Sequence, residues 1–375
     1  MKIAIINYLD STKPGGIAKV VIEIAKGLKS NGHQVLIIQP QSAINIDVDI
    51  RGFRRRGIFS WFGVHHLHIG DLKEIRQIID DFEPDVINIH GSRGLLPPLL
   101  VRSMKKRNLG VPLLYTPHHD SNSGVTFSGK YLFWLYKILF LSKAYDKADK
   151  ITVCSIFEEG QVSHLLRKGN EGKIVVIPNG ADVCNKEENQ DKSDDLRIIC
   201  AGYLFELKGV QHVIRALKII RERGMKRARL VVCGDGPYGR KLRKIAKSLN
   251  IDENIEWKGF VSRDELLEEI SGSHVLALIS KSENFGIVVA ESLALGTPVV
   301  VANTTALSEF SWADGCEIID FPPDYESLAD LLIDSQFRTV GNEVFGKGNV
   351  LPWLDVVKMY EQEINALHHG KTRNN

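Results

Sequence analysis

The chain has 375 residues, 43% hydrophobic and 25% charged, with 48 Lys+Arg against 46 Asp+Glu and a net charge of +2. That length exceeds one hydrophobic core and suits two, and the composition is that of a folded globular protein, which excludes a disordered or low-complexity chain. The charge is unevenly spread: residues 1–183 carry 24 basic against 17 acidic side chains, or +7, and the remainder −5, so the first half suits an anionic partner such as a membrane surface, lipid phosphate or anionic saccharide.

Short apolar runs alternate with amphipathic helical patterns from the start. Runs at 3–6, 35–38, 86–89, 113–116, 151–154 and 175–177 read as buried parallel strands, with helices such as 18–30 and 72–82 between some of them. A polar segment, 185–195, has no apolar residue to bury and reads as a linker. Alternation resumes with strands at 198–201, 230–233, 255–258, 275–279 and 299–302, and helices near 210–222 and 241–249. The pattern predicts an α/β protein of two doubly wound, Rossmann-like domains facing a cleft, with ligands at the carboxyl ends of the strands. The expected bounds are 1–183, a linker at 184–195 and 196–353, with a last helix near 354–368 returning to the first domain.

The five cysteines (Cys154, Cys184, Cys200, Cys233 and Cys316) form no C-x-x-C and read as buried thiols in a reducing compartment. The N-terminus enters a strand with no leader pattern, and Lys137 interrupts the longest apolar run, 131–141. A cytoplasmic location is expected, at most peripheral at the inner face of a membrane. Arg51-Gly-Phe-Arg54-Arg55-Arg56 followed by Trp61 and Phe62 joins cations to aromatics, as an interfacial contact would. The aromatic run 131–141, flanked by Lys130 and Lys143, reads as a buried amphipathic helix. No recognition fold accompanies the basic charge, so nucleic acid is not an expected partner.

Four segments carry chemistry. Residues 282–300 run Ser-Glu-Asn-Phe-Gly-Ile-Val-Val-Ala-Glu-Ser-Leu-Ala-Leu-Gly-Thr-Pro-Val-Val. A strand feeds a polar turn that opens a helix at about Gly286, where free amides and the helix dipole attract anions. Glu283 lies before that helix start and Glu291 about a turn inside, so one carboxylate can meet hydroxyls on each side of a phosphate. Spacing alone is weak, because Glu309 and Glu317 repeat the interval with no strand before them and no apolar helix between. Gly202-Tyr-Leu-Phe-Glu-Leu-Lys208-Gly209 also joins a strand to a helix, and a lysine there can neutralise a diphosphate. Tyr115-Thr-Pro-His118-His119-Asp120 closes a strand of the first half, and His90 ends another. Pro14-Gly15-Gly16 lets backbone approach a ligand at a helix start. Gly234-Asp-Gly-Pro-Tyr-Gly239 fits the dinucleotide pattern G-x-G-x-x-G, yet no ribose-binding acid ends a strand about 20 residues on. Asp47-Val-Asp49 follows no donor-binding strand and reads as surface.

From Gly15 to about Tyr360 the chain resembles the retaining glycosyltransferases of the GT-B fold, family 4, most specifically at Glu283–Glu291 and at Gly296-Thr-Pro-Val-Val300. The resemblance implies transfer of a sugar from a nucleotide diphosphate sugar to an acceptor hydroxyl on a glycan, lipid-linked saccharide or small molecule, with retained configuration. It implies a donor site of Gly16, Gly202, Lys208, Gly234, Glu283, Asn284, Phe285, Gly286, Ile287 and Glu291. It makes Lys208, Glu283 and His118 the catalytic set and puts Gly15, His90 and His119 on the acceptor side. No cofactor and no metal are expected, since lysine and helix dipole replace the cation. One departure stands out: the family usually has arginine directly after the first glycine of the lysine loop, and this chain has Tyr203. Two other classes stay open, a non-catalytic scaffold relative and a nucleotide-sugar 2-epimerase.

Overall fold

The structure, a computed structural model, describes residues 1–8, 15–40, 46–53, 60–61, 64–65, 69–92, 94–107, 110–119, 134–182, 195–338 and 340–372. The Arg54–Arg55–Arg56 cluster, Asp120 and nearly all of the expected linker lie outside the described residues. The chain divides into two compact units, Met1–Asn179 with Trp353–Asn375, and Gly180–Pro352. The crossing comes just before the expected 183 because Gly180–Ala181 pairs in parallel with Leu351–Pro352, inside the second unit.

In the first unit the parallel sheet runs in the order Asp49–Phe53, Gln34–Pro40, Lys2–Asn7, Val86–His90, Leu113–Thr116, Lys150–Val153, Ile174–Val176. Sequence order reverses between Lys2–Asn7 and Val86–His90. The inner strands are apolar on both faces because helices cover both, and Val86–His90 is buried along its whole length. The edge strand Asp49–Phe53 buries only Phe53, so the Asp47-x-Asp49 pair sits at the entrance of a strand. The last helix, Trp353–Thr372, packs on Gly16–Ser30 within this unit. A side chain at Gly27 would meet Val357 at 2.4 Å, so glycine allows the close approach. His33–Glu361 (2.8 Å) and Lys150–Glu363 (3.1 Å) hold the same helix.

In the second unit the parallel order is Ile255–Gly259, Arg229–Cys233, Arg197–Ala201, Val275–Leu278, Val299–Ala302, Cys316–Ile319. The reversal lies between Arg197–Ala201 and Val275–Leu278. In open α/β sheets ligands bind beyond the carboxyl ends of strands at such reversals, and the loops after these two strands begin at Gly202 and Ile279. Two sequence readings are corrected here. The second E-x7-E interval does follow a strand, Val299–Ala302; Glu309 lies in the short helix Thr305–Phe310 and Glu317 inside the edge strand Cys316–Ile319, paired to Arg338 at 2.6 Å. The run 131–141 is not a buried helix over its described part. Tyr136 and Leu141 are buried, but Trp134, Leu135, Ile138 and Leu139 are exposed, because only one side of this helical stretch packs on the core. Among the described residues no helix is long and apolar enough to cross a membrane.

Candidate functional site

In the second unit the reversal brings Lys208 and Glu283 together. The loop after Arg197–Ala201 ends in a short turn, Glu206–Lys208, and Gly209, in the left-handed region at φ 76°, caps the helix Val210–Glu222. A Cβ at Gly209 would lie 1.7 Å from the Ile279 carbonyl oxygen, so only glycine lets this loop meet the loop after Val275–Leu278. Leu207 O accepts the Lys281 N–H (2.7 Å) and the Ser280 hydroxyl (3.0 Å). With the backbones joined, the Lys208 ammonium reaches the Glu283 carboxylate in an ion pair. Glu283 is held at both backbone ends: its N–H donates to Thr305 Oγ1 at 2.9 Å and its carbonyl accepts from Ala306 N–H at 3.3 Å. An ammonium carries three donors, so Lys208 can keep Glu283 and still meet an anion.

Beyond Glu283, Asn284 is half-buried and Phe285 is buried edge-on against Phe310 at 5.5 Å. Gly286 (φ 97°) then caps Ile287–Ala294 without a side chain, which leaves the first amides of that helix open to an anion. Glu291 is 1% exposed. Arg263, at the start of helix Arg263–Ser271, pairs with its carboxylate and also donates Nε to Asp182 at 2.8 Å. Gly234 and Gly236 serve close loop packing: a Cβ at Gly234 would lie 1.9 Å from Gly202 O, and one at Gly236 2.6 Å from Leu204 O, whereas Gly202 has open space beside it and is set apart by its φ of 134°. This packing accounts for the first two glycines of the G-x-G-x-x-G run; a Cβ at Gly239 would make only ordinary contacts, at 3.5 Å. Tyr203 is exposed, its ring 4.6 Å from Phe205 and 6.2 Å from Phe260.

In the first unit Gly15 and Gly16 open the helix Gly16–Ser30, with Gly15 as an extended N-cap that makes no side-chain cap bond. His90 and His118 end adjacent strands and touch. Thr116 donates to Asn88 Oδ1 at 3.2 Å, which turns the Asn88 amide toward His90 Nε2 at 3.0 Å. His90 Nε2 is then an acceptor, its proton lies on Nδ1, and it donates to His118 Nε2 at 3.1 Å. His118 therefore carries its own proton on Nδ1. It adopts φ 48°, costly for a residue with a Cβ. His118 is 9% exposed and His119 1%; the His119 ring turns inward to the Tyr145 hydroxyl at 3.1 Å. Among the described residues no group of three or more His, Cys, Asp or Glu could hold a metal.

Burial lowers the His118 pKa to about 4 and, with repulsion from His118, moves His90 well below the ordinary range. The unfolded chain takes up protons near pH 6.5. As pH falls below that value the unfolded state gains protons that the fold refuses, and stability declines until about pH 4, where His118 charges within the fold. The expected loss from His118 alone is about 3 kcal/mol between those limits. Urea unfolding at pH 7 and 4.5 measures it, and a His118→Asn variant with an undiminished pH dependence contradicts it.

The sequence reading missed Asn88, Thr116, Thr152 (its hydroxyl 2.6 Å from that of Thr116), Tyr145, Asp182 and Arg263. The first three had a signal, polar residues inside otherwise apolar buried strands. Arg263 and Asp182 had none, being surface-type residues in loops or at a helix start.

Comparison with known proteins bears on the whole chain. Residues 14–184 match the family described as Glycosyltransferase Family 4, and 184–335 match Glycosyl transferases group 1. An uncharacterized glycosyltransferase of Methanocaldococcus jannaschii is 30% identical over 196 residues, which covers 49% of this chain and 47% of that relative, about half its length. A GDP-mannose-dependent alpha-(1-6)-phosphatidylinositol dimannoside mannosyltransferase of Mycobacterium tuberculosis is 24% identical over 86% of this chain and 85% of its own. The sucrose-phosphate synthase of Thermosynechococcus elongatus superposes with a TM-score of 0.75 at 16% identity, over 98% of this chain and 99% of its own, a likeness of fold in both Rossmann-like domains. With one family description matched by each half and the same fold throughout, the chain belongs to the group 1 glycosyltransferases.

Proposed function

We propose that the protein moves a sugar from a nucleotide diphosphate sugar to a hydroxyl of a glycan or lipid-linked acceptor, with the anomeric configuration retained. The observation that carries this reading is the Lys208–Glu283 pair, built at the strand reversal beside the uncapped start of Ile287–Ala294. A diphosphate there meets an ammonium and open amides, the charges that a departing nucleoside diphosphate needs. Glu283 then orients the sugar, Glu291 receives ribose hydroxyls, and the His118 Nδ1–H relieves charge near the transferring sugar. No metal enters the scheme.

An anionic membrane is the proposed place of work. Trp134, Leu135, Ile138 and Leu139 form an exposed apolar face with Lys137 and Lys143 on the same stretch, and burial lowers the Lys137 pKa. Amphipathic surfaces of this composition settle at headgroup depth. The mycobacterial mannosyltransferase, by its name, acts on a phosphatidylinositol glycolipid. A non-catalytic reading rests on Tyr203, which puts an aromatic cluster where a guanidinium is usual.

A thermal-shift screen against UDP-, GDP- and ADP-sugars is the test, repeated with anionic liposomes and followed by NMR of the product anomer. One donor class should raise the melting temperature, and the product should keep the donor's configuration. No shift with any donor favours the scaffold reading, an inverted product refutes retention, and a protein that ignores anionic liposomes at low salt refutes the membrane.

A further inference from the structure

Glu158 has no part in the site as described, yet it is fully buried and ionisable. It lies in the first turn of helix Ile156–Ser163, whose N-cap, Ser155, accepts the Glu158 N–H at 3.0 Å. A Ser-x-x-Glu sequence at a helix start ordinarily forms a closed local pair, with the glutamate reaching back to the N-cap amide. Here the carboxylate goes elsewhere. Oε2 accepts the N–H of Cys154 at 2.8 Å and faces its thiol at 3.1 Å. Oε1 accepts the N–H of His119, 39 residues away on the neighbouring strand's loop. One carboxylate thus joins the carboxyl ends of Leu113–Thr116 and Lys150–Val153.

The His119 N–H belongs to the peptide that His118 closes. Fixing that peptide plane fixes ψ of His118, the residue forced to φ 48°, and with it the ring that meets His90 at 3.1 Å. Two further groups brace the same loop. Tyr145 holds the His119 ring, and Tyr360 of the last helix bonds Thr116 and Thr152 beneath it. A left-handed histidine persists only where its surroundings over-determine it, and a buried charged acceptor makes the strongest of these bonds.

We propose that Glu158 is a positioning residue: through the His119 amide it holds His118 in the left-handed conformation that presents its imidazole to the reacting sugar. This rests on the reading of His118 given above. A glutamate that merely stabilises the helix start would affect folding and nothing else.

The test combines Glu158→Gln with His118→Ala, singly and together, in the full-length protein, and records turnover, donor affinity and the His119 amide resonance. The glutamine keeps the shape but has one acceptor oxygen, so it cannot serve both strands. Glu158→Gln should lower kcat about 100-fold, the cost of a misplaced catalytic group, with donor affinity unchanged, and should shift the His119 amide proton upfield. In the His118→Ala background the same change should cost no further turnover. Equal losses in both backgrounds, or a folded Glu158→Gln protein with wild-type kcat or an unmoved His119 amide, overturn the proposal. If the glutamine variant does not fold, Glu158→Asp withdraws the carboxylate by one methylene and carries the same expectations. Should His118→Ala leave an active wild type unimpaired, the role given to His118 fails, and the His119 amide alone still decides whether Glu158 sets the loop.

Discussion

Lys208→Met should lower kcat by about two to three orders of magnitude, the cost of removing one preorganised charge from a developing anion. The ammonium is a built part of the loop proposed to hold the donor. Gly209 allows the backbone approach that brings it to Glu283. Its loss therefore acts twice: the leaving diphosphate loses a cation, and Glu283 is left as a carboxylate facing that anion. Tyr203 sharpens the effect, since the loop offers an aromatic ring where an arginine would have shared the charge. Stability should change by less than about 1 kcal/mol, because both side chains are partly exposed and such pairs contribute little to folding. Tyr203→Arg in the Lys208→Met background should recover part of the turnover if the guanidinium reaches the diphosphate. Steady-state kinetics with calorimetric donor affinities decide the matter. A Lys208→Met enzyme within threefold of the wild-type kcat would remove the lysine from the mechanism.

How far the sequence foretold these features depends on the kind of signal each one leaves. Inner strands such as 3–6 and 86–89 are apolar on both faces, so they stand out as runs, and their alternation with helices implies doubly wound sheets. Edge strands bury little: Asp49–Phe53 encloses only Phe53, and in Cys316–Ile319 only Ile319 is fully buried, so neither shows a clean period. The exposed face of Trp134, Leu135, Ile138 and Leu139 was misread for the opposite reason. Apolar composition predicts burial, and nothing local reports that the stretch packs on one side only. At the site, Lys208, Glu283 and Gly286 follow strand ends directly and are legible from position. The partners that hold such residues are not. Arg263 is 28 residues from Glu291, and Glu158 is 39 from His119; only the fold joins them. Asn88 and Thr152 were legible in principle, as polar residues in buried strands must find hydrogen bonds there.

Arg263→Met should destabilise the second unit by about 3 kcal/mol, the lower end of the cost of stranding one partner of a buried pair, since the guanidinium is itself partly exposed. Glu291 is 1% exposed, and Arg263 stands between it and Asp182. The two carboxylates hold the Arg263 pKa above its usual value against the opposing effect of burial, with Glu291 the stronger of the two. Removing the guanidinium leaves Glu291 desolvated without that cation. Glu291→Gln poses a different problem. The charge disappears together with its need for a partner, and Arg263 retains Asp182, so stability should fall much less. Donor affinity should instead drop by the 1.5–3 kcal/mol of a charge-assisted hydrogen bond to ribose, roughly 10- to 100-fold. The double variant separates the two roles. With neither charge present, urea unfolding should recover most of the stability lost in Arg263→Met, a coupling expected between residues in contact, while calorimetry should still report weak donor binding. A double variant as unstable as Arg263→Met would show that the guanidinium stabilises the unit through something other than Glu291. Unchanged donor affinity in Glu291→Gln would take this carboxylate out of the ribose site, leaving the Arg263–Glu291 pair a structural tie between Asp182 and the helix that begins at Ile287.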